Sequence, residues 1–372
     1  MTSSALHPLQ SAARFLMEKS WPLLRPLAFS MDAEQAHHVT LATLNSAVRC
    51  GLPRLLPPTP EAAPLSLWGL RFPNRVGLAA GLDKSGSSID GFAALGFGFI
   101  EIGTLTPRPQ PGNPAPRLFR IPDREAIINR MGFNNVGITK GLANVARRSS
   151  PAILGINIGK NFDTPNDRAN DDYLICLREA YPVADYIAVN LSSPNTKGLR
   201  DLQQEDSCRS LIRALHAAQA QLAQRHQRHV PILIKIAPDL DPAHIDSLAR
   251  LFSTEKLEGV IATNTTLSRQ SVEHSPTSLQ AGGLSGAPLS SRSTDVIARL
   301  CSALDGSMPV IGVGGIMNEA DAIAKLHAGA ALIQIYSGLV YHGPELVRRC
   351  INAAAAFSST QPSPHSSPHT SA

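Results

Sequence analysis

Tyr186-Ile187-Ala188-Val189-Asn190-Leu191-Ser192-Ser193-Pro194-Asn195-Thr196 reads as an unbroken apolar strand running into amides, hydroxyls and a proline. A strand without polar alternation is covered on both faces, as parallel strands between helices are. At the carboxyl end of such a strand an α/β barrel does its chemistry. Taken alone, residues 190–196 are a polar turn. Their weight comes from repetition, because seven other apolar runs also end in polar or Gly-rich clusters.

From Val76 onward the apolar runs are residues 76–80, 99–103, 153–158, 186–189, 232–236, 259–263, 310–313 and 332–335. They alternate with amphipathic segments near 89–95, 138–148, 171–180, 207–224, 242–252, 294–304, 319–327 and 345–355. Eight βα units close a parallel barrel. The expected fold class is therefore α/β, a (β/α)8 TIM barrel with an N-terminal helical extension; an open doubly wound sheet is the alternative.

At 372 residues the chain is long enough for two average domains or for one barrel of about 250 residues with insertions. The net charge of +5 comes without a dense Lys/Arg block, which disfavours nucleic acid as a partner. Five scattered cysteines with no CxxC spacing suggest free thiols rather than a disulfide framework or zinc site. Twelve histidines include no HExxH pattern, and no metal is expected. The N-terminus lacks the apolar core of a secretory signal, and Glu18 argues against an organellar presequence. The uncharged run 326–344 is broken by Gly329, Gln334, Ser337 and Gly343, so it reads as a buried strand with loops rather than a membrane span.

Two regions fall outside the eight units. Residues 106–130 are too long for a bare βα loop and read as an excursion over the barrel mouth. In residues 1–60, Phe15, Leu16, Trp21, Leu23, Leu24, Leu27 and Phe29 form an apolar group interrupted by Arg14, Lys19 and Arg25. A second helix follows over 32–48, with Asp32 as its cap and Gln35 three residues on. These helices either pack on the barrel as a lid or lie on a bilayer surface, and they are too charged to cross it. Residues 53–60 read as a Pro-rich linker, and 358–372 as a disordered Ser/Pro/His-rich tail.

If the eight runs are barrel strands, one rim gathers Ala80-Gly81-Leu82-Asp83-Lys84, Thr104, Asn157, Asn190, Lys235, Thr263-Asn264-Thr265, Gly314-Gly315 and Tyr336-Ser337. Lys235 stands between Ile234 and Ile236, where a buried ammonium needs an acceptor or an anion. Gly282 to Gly286, Gly312 to Gly315 and Tyr336 to Gly338 lie in the last three units, where barrels bind phosphate through backbone amides.

These motifs resemble the dihydroorotate dehydrogenase family. The resemblance rests on Ala79 to Lys84, Ile100 to Thr104, Asn129 to Asn135, Gly155 to Asn161, Asn190 to Thr196, Lys235 to Asp239, Ala262 to Thr266, Gly283 to Gly286 and Gln334 to Gly338. It covers about residues 20–355. Serine at 193, where soluble class 1 members carry cysteine, and the helical extension both resemble the quinone-dependent class 2. The same serine counts against a class 1 enzyme using fumarate. The absence of cysteine-rich iron–sulfur motifs counts against a dihydropyrimidine-type dehydrogenase.

The resemblance implies oxidation of (S)-dihydroorotate to orotate in pyrimidine biosynthesis, with FMN as hydride acceptor and a membrane quinone as final acceptor. It places Ala80, Gly81, Leu82, Asp83, Lys84, Thr104, Asn157, Asn190, Lys235 and Thr263 around the flavin ring and its surroundings, and Gly286, Gly315, Tyr336 and Ser337 at its ribityl phosphate. Substrate falls to Lys84, Asn129, Arg130, Met131, Gly132, Phe133, Asn190, Asn195, Asn264 and Thr265. Ser193 is the implied general base, with Thr196 as candidate proton relay. His37, Arg120 and Tyr336 resemble quinone-side residues, although His37 beside His38 also reads as a helix-surface histidine. The implied organisation is 1–60 as a membrane-associating, quinone-access module with linker, 61–357 as the FMN-binding barrel and 358–372 as tail. The implied setting is the cytoplasmic face of a bacterial inner membrane, held peripherally.

Overall fold

The computed structural model describes residues 20–51, 62–196 and 198–360. The proposed linker at 53–60, residues 1–19 and the tail beyond 360 lie outside the described residues. In chain order the strands are β1 (Leu65–Leu67), β2 (Leu70–Phe72), β3 (Val76–Leu78), β4 (Phe99–Leu105), β5 (Leu118–Ile121), β6 (Ala126–Asn129), β7 (Ile153–Ile158) and β8 (Tyr186–Asn190). They continue as β9 (Ile232–Ile236), β10 (Gly259–Ala262), β11 (Gly283–Gly286), β12 (Val310–Val313) and β13 (Leu332–Ile335). The helices are α1 (residues 20–30), α2 (Ala33–Arg49), α3 (Ile89–Ala94), α4 (Ile138–Val145), α5 (Ala169–Ala180) and α6 (Glu205–His226). After them come α7 (Pro242–Thr254), α8 (Ser290–Leu304), α9 (Glu319–His327), α10 (Ser337–His342) and α11 (Pro344–Thr360).

β3, β4, β7, β8, β9, β10, β12 and β13 pair in parallel and close into an eight-stranded barrel. Every residue of β3, β4, β8, β9, β10, β12 and β13 is buried, as expected of runs without polar alternation. The expected (β/α)8 barrel is the observed fold. α11 continues three residues into the expected tail, through Ser358, Ser359 and Thr360.

The short hairpin β1–β2 closes the amino-terminal end of the barrel. Trp68 and Gly69 form its turn with φ of 54° and 76°, the left-handed pair that two-residue hairpin loops use. Trp68 offsets that conformation by donating from its indole nitrogen to Glu258 O at 2.7 Å and by packing edge-on against Phe72. Phe72, Phe99, Tyr186, Leu233, Ile261, Ile311 and Leu332 make an apolar plug above it. The rings of Phe99 and Tyr186 fit because Gly77 and Gly155 leave room. A Cβ on Gly77 would lie 2.3 Å from Phe99 Cζ, and one on Gly155 2.0 Å from Tyr186 Cζ. With the floor filled, only the carboxyl-terminal end can hold a site.

The excursion at 106–130 is ordered: β5 and β6 form an antiparallel hairpin whose free edge takes β11 in register, Gly283 opposite Asn129 and Gly286 opposite Ala126. Gly283 to Gly286, expected as a phosphate turn only, is thus also a strand.

α2 starts on Asp32, whose carboxylate accepts from the amides of Glu34 and Gln35, so the expected cap is present. Leu44 packs over Gly91 of α3, close enough that an added Cβ there would lie 2.4 Å from Leu44 Cγ. α1 is tied down by Trp21 Nε1 and Arg25 Nη1, which both donate to Tyr341 O at 3.2 Å. Its Leu23, Leu24 and Leu27 face solvent, Leu23 with 81% of its surface exposed. Among the described residues no helix is long and apolar enough to cross a membrane.

Candidate active site

A cleft opens at the carboxyl-terminal end of the barrel. The strand ends deliver Ala80, Gly81, Lys84, Thr104, Asn190, Lys235, Thr263, Asn264, Thr265, Gly315, Tyr336 and Ser337 to its wall. Loop residues add Ser193 and Asn195 after β8, and Asn129, Met131, Gly132 and Phe133 after β6. Gly286 enters from the end of β11.

Seven expected residues do not line it. Leu82 belongs to the apolar core, and the Asp83 carboxylate is turned inward to accept from the amides of Ser87 and Ser88 at 3.0 and 2.8 Å. The Arg130 guanidinium points away, donating to Gln280 Oε1 and Pro116 O and stacking 4.7 Å over Phe119. Asn157 lies one layer below the wall. The Thr196 hydroxyl is buried without a hydrogen-bond partner, and Ser193 Oγ instead meets the amide of Asn195 at 3.3 Å. His37 and Arg120 are described below.

An amide and hydroxyl network holds the wall rigid. Asn190 Nδ2 donates to Thr104 Oγ1 at 3.0 Å, and Thr104 Oγ1 donates to Asn157 Oδ1 at 2.5 Å. Asn264 Nδ2 donates to Ser192 Oγ at 3.0 Å and toward Asn190 Oδ1 at 3.3 Å. Asn195 Nδ2 reaches both the carbonyl and the side chain of Asn129. Below the loop of Ser193, Arg200 donates to Ser192 O, Thr265 O and Asp239 Oδ2, fastening two rim loops to one another.

Glu101 of β4, to which the family resemblance assigns no role, sits at the heart of this layer. Fully buried, it accepts from Asn157 Nδ2 at 2.8 Å, Tyr186 OH at 3.0 Å and Gln334 Nε2 at 2.8 Å, and lies 3.9 Å from Lys235 Nζ. Burial lowers the Lys235 ammonium below the usual lysine range, and Glu101 opposes that shift. The signal was available in Ile100-Glu101-Ile102, a lone charge in a buried strand like Ile234-Lys235-Ile236. Arg200 and Asp239 carried no such mark, since their partners come from loops distant in sequence.

At the far side of the cleft Ser285, Gly286, Gly314, Gly315 and Ser337 form a small polar cradle. Gly286 and Gly315 have φ of 95° and 68°, and a Cβ on either would lie 2.1 Å from Glu125 O or 2.4 Å from the Ser290 backbone. Both positions therefore require glycine, whose backbone borders the cleft.

At the near side Lys84 has no hydrogen-bond or ion-pair partner among the described residues. Burial lowers its ammonium to about 8; Arg117 adds to the shift and Glu34 opposes it. Glu34 of α2 binds Arg117 at 2.7 Å, and Arg117 also donates to Pro111 O and Asn113 O, so α2 is joined to the loop beside Lys84. His37 faces inward on this helix whereas His38 is exposed. Burial, then the charges of Lys84 and His38, lower the His37 imidazole to about 4 and keep it neutral at physiological pH. The surface-histidine reading therefore fits His38 rather than His37. Arg120 donates to Ala28 O and Met31 O and lies 4.6 Å over the Phe29 ring, holding the α1–α2 turn. Phe29, Met31, Leu118, Phe119 and Arg120 border a second cleft.

The family model for dihydroorotate dehydrogenase matches residues 63–356. The chain is similar to the dihydroorotate dehydrogenase (quinone) of Chromobacterium violaceum, 57% identical over 337 residues that make up 91% of this chain and 98% of the relative. That of Nitrosospira multiformis is 59% identical over 327 residues, 88% of this chain and 93% of the relative. Among solved structures, DHODH from Eimeria tenella in complex with ferulenol superposes with a TM-score of 0.80 at 35% identity, covering 88% of this chain and 91% of that one. The chain belongs to the dihydroorotate dehydrogenase family, in its quinone-dependent class.

Proposed function

We propose that the chain oxidises (S)-dihydroorotate to orotate at the barrel mouth, with FMN as its cofactor and a membrane quinone as co-substrate. The observation that carries this reading is the convergence of Ser193, Lys84 and four asparagines on one cleft wall, opposite a backbone cradle suited to phosphate.

The residues present fit FMN. Thr265 Oγ1 and Gln334 Oε1 are buried cleft atoms without protein partners, as expected where a ligand supplies them. Ala80, Gly81, Thr104, Asn190, Lys235 and Thr263 would surround the ring, with Asn157 supporting from below; Gly286, Gly315, Tyr336 and Ser337 would hold the phosphate. Leu82 and Asp83 shape that turn through the backbone. When bound, the flavin supplies the acceptor for the hydride leaving C6 and the electrons that a quinone later takes.

Substrate recognition follows from the donors on the near wall. The free ammonium of Lys84 suits the carboxylate, and Asn129, Asn190, Asn195, Asn264 and Thr265 suit the alternating carbonyl and N–H groups of the ring. Met131, Gly132 and Phe133 close the pocket over it. Ser193 takes the C5 proton, and the Asn195 amide at its Oγ favours negative charge developing there. A serine must pass that proton on. Thr196, with its buried unpartnered hydroxyl, is the candidate carrier.

Residues 1–60 are proposed as the membrane and quinone module, 61–357 as the barrel and 358–372 as a tail without a catalytic part. The exposed Leu23, Leu24 and Leu27 on α1, beside Arg25, support peripheral binding at the cytoplasmic face of a bacterial inner membrane. His37, Arg120 and Tyr336 would border the quinone path, Arg120 by shaping the α1–α2 turn. Anaerobic titration with dihydroorotate should bleach the visible flavin band, and a soluble quinone analogue should restore it. A purified chain without a flavin spectrum, or one unbleached by dihydroorotate, would overturn the assignment.

A further inference from the structure

Lys325 of α9 is completely buried, and the proposed chemistry does not use it. Its ammonium donates to Ser290 O at 2.7 Å and to Ser293 Oγ and Thr294 Oγ1 at 2.5 Å each. All three acceptors are neutral. Asp321, four residues back on α9, accepts from Ser290 Oγ and the amides of Met317 and Asn318. Asp321 and then Asp295 attract the Lys325 ammonium through space, but neither carboxylate touches it.

The position is also wrong for a structural cation. Ser290, Ser293 and Thr294 form the first turn of α8, a 15-residue helix whose amino-terminal end carries partial positive charge. A buried ammonium beside it is unfavourable, and Asp321, the nearby carboxylate, answers it only through Ser290 and across space. The same turn abuts the polar cradle: Ser293 Oγ lies 2.9 Å from Gly314 O, and the Ser290 backbone sits directly behind Gly315. Among the described residues no lysine or arginine lines the cradle itself. Burial lowers the Lys325 ammonium to about 8, and Asp321 and Asp295 oppose that shift.

We propose that Lys325 is the buried counter-charge for the phosphate of the cofactor, acting from behind the cradle through the first turn of α8 rather than by direct contact. It is a positioning residue, and through it the site distinguishes a phosphorylated flavin from the bare riboflavin. The proposal rests on FMN being the cofactor.

The test compares FMN and riboflavin binding by flavin fluorescence on the full chain stripped of flavin, for wild type, K325M, K325Q and S293A, with circular dichroism confirming the fold. K325M and K325Q should weaken FMN binding by at least about tenfold, or 1.4 kcal/mol, while riboflavin binding changes less than about threefold. S293A, which keeps the charge, should keep the preference for FMN. Equal weakening of both flavins would make Lys325 a packing residue, and unchanged FMN binding would remove its role. Should K325M not fold, K325Q, which retains donors for the same acceptors, decides alone. A wild type that binds neither flavin would instead refute the cofactor reading on which this stands.

Discussion

Replacing Lys84 with methionine should raise the dissociation constant for orotate roughly a hundredfold. Two ammonium groups line the cleft, but Lys235 faces Glu101 at 3.9 Å while Lys84 has no partner among the described residues. A carboxylate about 4 Å from such a charge gains on the order of 4 kcal/mol at the effective dielectric of a protein surface. Desolvation returns part of this, so truncating one member of such a pair costs about 2–5 kcal/mol. Taking about 3 kcal/mol gives the hundredfold figure. Methionine keeps the length and apolar stem of the side chain, so packing against the rim is retained. The assay is orotate titration of the full chain, followed by the flavin spectrum or by calorimetry.

The pH dependence supplies an independent arm. Only the protonated amine attracts a carboxylate, and in the free protein Lys84 titrates at about 8. Orotate affinity should therefore be level below that value and fall as pH rises through it. The facing titratable groups do not mimic this: the hydrogen bond from Arg117 holds the Glu34 carboxyl below its usual range, and His37 is already neutral above about 4. K84M should lose the alkaline fall along with the affinity. A folded K84M that binds orotate within threefold of wild type, or that keeps the same alkaline fall, would refute the carboxylate assignment.

Ser193→Ala should leave flavin content unchanged and slow anaerobic flavin reduction by dihydroorotate by about 10²–10⁴-fold, the usual worth of a positioned base; stopped-flow absorbance checks it, and normal reduction would remove Ser193 from the role. Deleting residues 1–45 should depress quinone reduction more than flavin reduction by dihydroorotate. Equal loss in the two half-reactions would make α1 and α2 a structural lid. Gly155→Ala would place a methyl group 2.0 Å from Tyr186 Cζ and should lower unfolding stability by about 1–3 kcal/mol in urea melts; an unchanged midpoint would mean that the floor is less tightly packed than described.

Much of this fold was legible because buried parallel strands leave an unmistakable trace. The runs at 153–158, 232–236, 310–313 and 332–335 match β7, β9, β12 and β13 in their bounds, since each is apolar but for at most one inward polar residue. Five strands escaped notice for physical reasons, β5 and β6 because they fall inside the excursion at 106–130, which shows no apolar run of barrel-strand kind. β1 and β2 have three residues each, too few to show a period, and their turn puts Trp68 where a small residue is usual. β11 is Gly-Leu-Ser-Gly, whose glycines signal a loop; only the neighbouring β5–β6 hairpin makes it a strand. The site was readable wherever a residue stands at a strand end. It was unreadable where the function lies in side-chain direction, as with Asp83 and Arg130, whose polar heads satisfy backbone groups and Gln280 rather than the cleft.

Strand periodicity also explains why a charged layer can exist inside this barrel. Inward side chains recur every second residue, so each plug residue has a partner one layer nearer the rim. Phe99 is followed by Glu101, Gly155 by Asn157, Leu233 by Lys235 and Leu332 by Gln334. The lower member of each pair builds the dry floor, and the upper builds the polar bed on which the cleft rests. Such a bed is a poor investment in stability, because a buried ion pair such as Glu101–Lys235 is seldom better than well-packed apolar side chains of similar volume. An apolar second layer would have folded as well. That four adjacent inward positions are instead Glu, Asn, Lys and Gln, linked through hydrogen bonds and one ion pair, is therefore explained by what the cleft above them binds rather than by the fold that holds them.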